Sequence, residues 1–181
     1  MSLVPRVPFL ATSLLLTLAF AACQKPSEPP PVQPAESAAD TAAKVAETNK
    51  AAAMRFMNEV ITGGKIEVID ELVDPAFVEH MPLPPDAPKG IEGLKAFVSD
   101  YRKAFPDTSV TVEQITASDD LVAVRSIWKG THKGDWMGVK ATNQPMEFEV
   151  FDVVRLKDGK ATDHWGMDDT ERKLMAAGSK K

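Results

Sequence analysis

Apolar positions recur at two different periods along the chain. Ala53, Phe56, Met57, Val60 and Ile61 follow i, i+3, i+4, i+7, i+8 spacing, which predicts a helix from about Thr41 with one apolar stripe, closed by Gly63-Gly64. KIEVIDELV predicts a short second helix that buries Ile66, Ile69 and Val73 and stops at Asp74-Pro75. A third starts near Gly90, with Ile91, Leu94, Phe97, Val98, Tyr101 and Phe105 on one side, and ends at Pro106. From Ser109 the period is two. Strands are predicted over Ser109–Ala117, Leu121–His132, Met146–Leu156 and Ala161–Met167, with turns at Asp119-Asp120 and Lys157-Asp158-Gly159-Lys160, and a terminal helix follows. Helices followed by an antiparallel meander make an α+β fold, a curved sheet wrapped around N-terminal helices. The strands are apolar on both parities, Val122/Val124/Trp128 against Leu121/Ala123/Ile127. Both sheet faces are therefore expected to be covered, one by the helices and the other by a second subunit.

Residues 1–22 stand apart from this pattern. Arg6 supplies a positive start and FLATSLLLTLAFAA an apolar run too short for a confident membrane span, as in a signal peptide. Cys23, the one cysteine of the chain, follows directly. It is either incidental to an ordinary cleavage site or the lipidated residue of a lipoprotein, because FAAC resembles a bacterial lipobox. The second reading is favoured: a lone cysteine cannot close an intramolecular disulfide in an exporting compartment, and this one sits where lipidation requires it. Gln24 is compatible with sorting to an outer membrane. The expected location is the cell envelope, lipid-anchored and facing the periplasm. KPSEPPPVQPAESAAD then reads as an extended Pro-rich tether. The expected division is a leader over 1–22, a tether over 23–42, a folded domain over 43–178 and a tail over 179–181.

Charge narrows the partners. The net charge is −5, becoming −6 once the leader and its Arg6 are removed, and basic residues do not cluster. Nucleic-acid binding, which needs clustered Lys and Arg against phosphates, is therefore not expected.

The order FVEH, GIEGLKAFVSDYRKAFPD, VAVRSIWKGTHKGDWMGVKATN and FDVVRLKDGKATDHW, with the Asp that follows, resembles the SnoaL-like polyketide (ester) cyclases of the nuclear-transport-factor-2-like superfamily over roughly Ala52 to Gly178. The resemblance implies a cone-shaped fold enclosing a cavity for a small hydrophobic ligand. It also implies acid/base closure of a carbonyl substrate with no metal and no cofactor. The family's catalytic aspartate lies four residues after the strand tryptophan, which from Trp165 is Asp169. In that role its pKa would be raised by desolvation.

The residues allow bland readings beside the catalytic one. Asp168 to Glu171 (D-x-x-E) also fits a capping box, with Asp168 as N-cap and Asp169 in the first helical turn. If the strand runs as far as Asp169, parity puts Ala161, Asp163, Trp165, Met167 and Asp169 on one face, expected to be the pocket side, which makes Asp169 the pocket carboxylate and Asp168 the cap. His80 is either a solvated loop residue or, by the resemblance, a proton-handling group at the cavity mouth. Arg125 is an ion-pair partner of Glu147, Glu149 or Asp152, or an oxyanion-stabilising group. Trp128, Trp165, Phe148 and Phe151 belong to the core or line the cavity, with Met167. His132 and His164 are expected at strand ends. The three histidines lack zinc-site spacing, so no metal is expected. Asn143 replaces a family glycine, and asparagine tolerates the left-handed backbone such a turn needs.

Two functions fit these expectations. One is cofactor-independent acid/base catalysis on a small hydrophobic carbonyl compound, with Asp169 as base and His80 assisting. The other is a membrane-tethered module that binds an apolar ligand or dimerises through its sheet.

Overall fold

The structure, a computed structural model, describes residues 37–82 and 86–179. The leader, Cys23 and most of the Pro-rich tether lie outside the described residues. Helix α1 spans Ala38–Arg55 and opens on a reciprocal capping box. There Ser37 Oγ accepts from the Asp40 amide, and the Asp40 carboxylate accepts from the Ser37 amide. The helix thus begins inside the segment assigned to the tether, where a serine with an acid three residues on satisfies the first free amides.

The same helical path continues over Phe56–Thr62 with π-helical turns that bury Met57, Val60 and Ile61. Arg102 donates to the carbonyls of Ile61 and Thr62 at 3.2 and 2.8 Å, supplying partners that the chain end lacks. Its guanidinium lies over Gly64 (φ +70°), where Nε is 3.1 Å from the position a Cβ would take.

A 3-10 turn (Ile66–Val68) and the short α2 (Ile69–Leu72) lead directly into β1 (Val73–Glu79). This strand was not expected. Asp74-Pro75 reads as a helix stop, and it is also a strand opening, because β1 is an edge strand where proline costs little. Helix α3 (Gly90–Ala104) then buries Val98, Tyr101 and Ala104.

The remaining strands are β2 (Ser109–Ser118), β3 (Leu121–Thr131), β4 (Pro145–Lys157) and β5 (Lys160–Asp168), followed by α4 (Thr170–Gly178). They form one open five-stranded sheet, ordered β1-β5-β4-β3-β2, in which β1 runs parallel to β5 and the other pairs are antiparallel. The fold is therefore α+β, helices followed by a curved sheet, as the element order predicts. The β4–β5 turn has positive φ at both Asp158 and Gly159, the type I′ signature of a tight hairpin. Asn143 adopts φ +58°, the left-handed turn position.

Register separates the two faces of the sheet. On β4, Phe148, Val150, Asp152 and Leu156 are buried, whereas Phe151 and Val153 are exposed. The even-numbered residues of β4 thus face the helices. Across the ladder Val124, Asp152 and Gly166 form one row of this covered face. Ser126, Val150 and Asp168 form the next, and Val122, Val154, His164 and Glu79 the one on the other side. Trp165, Met167, Phe151 and Val153 lie on the opposite, open face. Among the described residues no helix is long and apolar enough to cross a membrane.

Candidate acid–base site

Parity does group Asp163, Trp165 and Met167, but the face they share is the open one, and β5 ends at Asp168, before parity reaches Asp169. Met167 is 72% exposed there. Asp169 is the N-cap residue of α4, without a capping hydrogen bond from its side chain. Its carboxylate accepts from the Glu149 amide (3.1 Å) and pairs with Lys173 (2.8 Å) and Arg172 (3.1 Å). Partial burial would lift its pKa, but the Lys173 ammonium, the Glu149 N–H and Arg172 outweigh it and hold the carboxyl below the ordinary range. The expected desolvated base is thus an anion clamped between cations. The expected capping box from Asp168 to Glu171 does not form: the N-cap is Asp169, and Asp168 Oδ1 instead accepts from the Thr170 amide at 2.8 Å, an Asx-type contact just before the helix.

His80 also lies off the covered face. Its ring stacks on Trp165 with centroids 4.4 Å apart and planes 1° from parallel, and Nε2 is 2.9 Å from Asp163 Oδ1. The His80 hydrogen bond holds Asp163 below the usual carboxylate range, with help from the Thr162 hydroxyl and Arg155. Arg155 stands 5.3 Å from the Trp165 ring centroid. Arg125 occupies the middle of the open face, paired with Glu149 (2.6 Å) and with Glu113, in a charge-lined groove of about 390 Å³. Of the three partners expected for it, Glu149 is the one that pairs, joined by Glu113, whereas Asp152 lies through the sheet. Trp128 and Phe148 are core residues of the covered face, the Trp128 Nε1–H donating to Ser126 Oγ at 3.0 Å and Phe148 packing edge-on to Phe105.

The covered face carries its own polar set. His164 Nδ1 lies 2.7 Å from Glu79 Oε2 and its Nε2 lies 3.0 Å from Asp152 Oδ1. Burial alone would push this imidazole's pKa down, but the hydrogen bonds to Asp152 and Glu79 raise it to about 9. It is a cation at neutral pH between two carboxylates, in the middle of β5 and not at a strand end. The Met81 amide holds the other Glu79 oxygen at 2.9 Å. One row beyond Asp152, Asp168 projects from the same face at the rim, in register with buried Val150. Its charge is felt by Tyr101, whose phenol burial pushes up to about 12. Tyr101 is enclosed by the rings of Phe97, Trp136, Trp128 and Phe105. Among the described residues no group of three or more His, Cys, Asp or Glu has metal-holding geometry. In the Glu79–His164–Asp152 set the imidazole itself fills the space between the carboxylates. His132 follows the last residue of β3 and is fully buried, against Phe105 and Thr142.

Glu79, Asp152, His164 and Asp168 were thus not singled out from sequence as a site. The available signal was Asp152, an acid inside the apolar run of β4. A buried carboxylate on an apolar strand needs a partner, and here the partner is a histidine.

Comparison with known proteins agrees with this architecture. The SnoaL-like polyketide cyclase family profile matches residues 51–175. No curated protein matches the chain. Among solved structures, a provisionally assigned SnoaL-like polyketide cyclase from a Jannaschia species is 25% identical over 76% of this chain and 95% of its own, with a TM-score of 0.67. IdmH from Streptomyces antibioticus, provisionally assigned as a polyketide cyclase, is 30% identical over 71% and 96%, with a TM-score of 0.62. AclR from Streptomyces galilaeus, provisionally assigned as a hydroxylase, is 26% identical over 74% and 97%, also at 0.62. With the family profile spanning most of the folded part, the chain belongs to the SnoaL-like polyketide cyclase family.

Proposed function

We propose that this protein is an acid/base catalyst acting on small hydrophobic carbonyl compounds at the covered face of its sheet, with Asp168 as the proton-transferring carboxylate. The observation that carries the reading is the placement of Asp168. It is an exposed carboxylate at the end of the helix-facing row of β5, oriented by the Thr170 amide, and its charge acts on the buried phenol of Tyr101 within its wall of aromatic rings. An apolar ring held against that wall presents its α-carbon to the carboxylate. Asp168 takes the α-proton, the C–H electron pair forms the enolate, and the proton returns to carbon. Asp169 serves the fold instead, tying α4 to β4.

The test is deuterium exchange α to the carbonyl of 2-tetralone in D₂O, followed by NMR. The protein should accelerate exchange, and Asp168→Asn should reduce that acceleration by ~10²–10⁴-fold, the usual contribution of a general base. Asp169→Asn should retain it. Equal rates for the wild type and Asp168→Asn would remove the proposal.

A second reading concerns assembly. Val78, Leu121, Phe151, Val153 and Met167 are exposed, with Phe151, Val153 and Met167 as ladder neighbours on the open face. Large apolar side chains gathered on a sheet face are a surface for a partner. The occupant proposed is a second copy, giving a homodimer held to the envelope membrane through a lipid on Cys23.

A further inference from the structure

The row of the covered face between Asp168 and His164 holds a buried acceptor and an absent side chain. Asp152 is 7% exposed, and only its Oδ1 is engaged, by His164; Oδ2 is buried with no hydrogen-bond partner among the described residues. A carboxylate oxygen left this way inside a protein normally meets a donor, from the protein, from water or from a ligand. The residue opposite Asp152 in the β4–β5 pairing is Gly166. A Cβ on Gly166 would lie 2.7 Å from Met81 Sδ and 3.1 Å from His164 Cε1. The volume above Gly166 is therefore filled by the end of one flexible thioether, with the His164 ring forming its side.

We propose that this row is a ligand-anchoring subsite: on binding, Met81 swings off Gly166, and a hydroxyl group of the ligand donates to Asp152 Oδ2. It rests on the covered face being the ligand-binding face and names the group a substrate must carry there. A hydroxyl suits the site because Asp152 can only accept, and because it takes the place of a missing partner without adding charge. The neighbouring imidazole is already engaged on both nitrogens, so it fixes the Asp152 carboxylate without competing for the ligand. Position supports the role as well. Residues two apart on a strand are about 7 Å apart on one face, so a ring anchored at Gly166 extends toward Asp168. Asp152, His164 and Gly166 are then positioning residues, and Asp168 alone meets the reacting carbon.

The experiment compares two probes of nearly equal shape, 2-naphthol and 2-methoxynaphthalene, titrated into the protein by NMR. Expected is at least tenfold tighter binding of 2-naphthol, with the largest shifts at the Gly166 amide, the Met81 methyl and His164 Hε1. Gly166→Ala should abolish this preference. If that variant does not fold, the wild-type comparison still decides. Equal affinities, no binding of either probe, shifts centred elsewhere, or a preference that survives in folded Gly166→Ala would each overturn the proposal. Asp168→Asn should leave 2-naphthol binding within about threefold. If anchoring holds while 2-tetralone exchange proves independent of Asp168, the acid/base reading falls and the subsite stands. If exchange needs Asp168 while the probes bind equally, the subsite falls alone.

Discussion

His164 illustrates how one side chain can carry a pH dependence for the fold. It links three strands: it belongs to β5 and bonds Glu79 at the end of β1 and Asp152 on β4. Its pKa is raised to about 9 from an ordinary value of 6.5. The folded state therefore binds this proton more tightly than the unfolded chain does. That stabilisation is complete below about pH 6.5 and is lost as the pH rises through about 9. Denaturant unfolding across this window should show stability falling toward alkaline pH, with a steepest slope approaching about 1.4 kcal/mol per pH unit for one proton. His164→Gln should flatten the profile. An unchanged slope in the variant would assign the pH dependence to other groups.

Among the elements, the π-helical segment depends most on a distant partner. Its wide turns end at Gly63-Gly64, and the carbonyls of Ile61 and Thr62 are met by Arg102 from α3. Arg102→Met keeps much of the apolar stem and removes the donors. It should lower stability by about 1–3 kcal/mol, the cost of leaving such acceptors without partners. Urea denaturation measures this, and hydrogen exchange should report faster opening at residues 62–65. A loss below a few tenths of a kcal/mol would mean that water replaces the guanidinium. Edge strand β1 shows another dependence on neighbours. VDPAFVE contains a proline and alternates poorly, yet it is extended because β5 offers an edge and Glu79 finds His164.

At the scale of the whole molecule the open face governs assembly and Cys23 governs location. A soluble form beginning at Ser37 should sediment as a dimer at micromolar concentration. Phe151→Glu places a charge in the middle of the proposed interface and should give monomers without loss of fold, because Phe151 is 46% exposed in the single chain. A wild-type protein that sediments as a monomer across that range would remove the dimer. In the full chain, Cys23→Ser should move the protein from the membrane fraction to the soluble fraction. Unchanged fractionation, with no acyl mass on the native protein, would count against the lipid anchor.

The local signals were strong enough to be read without a structure. Helical spacing located α1 and α3, alternation located four strands, and turn chemistry placed the Asp158-Gly159 hairpin, because each depends on neighbours within a few residues. Parity in β5 was equally legible: Asp163, Trp165 and Met167 do share a face, whereas Asp169 lies past the end of the strand. Which face meets the helices was not, because both parities of the strands are apolar and alternation is symmetric under exchange of faces. That one binary choice moved Trp165 and Met167 to the open side and brought Asp168, Gly166 and His164 to the covered one. The ionisation of Asp169 likewise waited on tertiary contacts. Lys173 and Arg172 are near in sequence, but only the fold brings the Glu149 amide to the same carboxylate. Strand β1 and the Glu79–His164–Asp152 set join residues more than seventy positions apart in the chain. No local pattern encodes such a meeting, because it exists only once β1 has paired with β5.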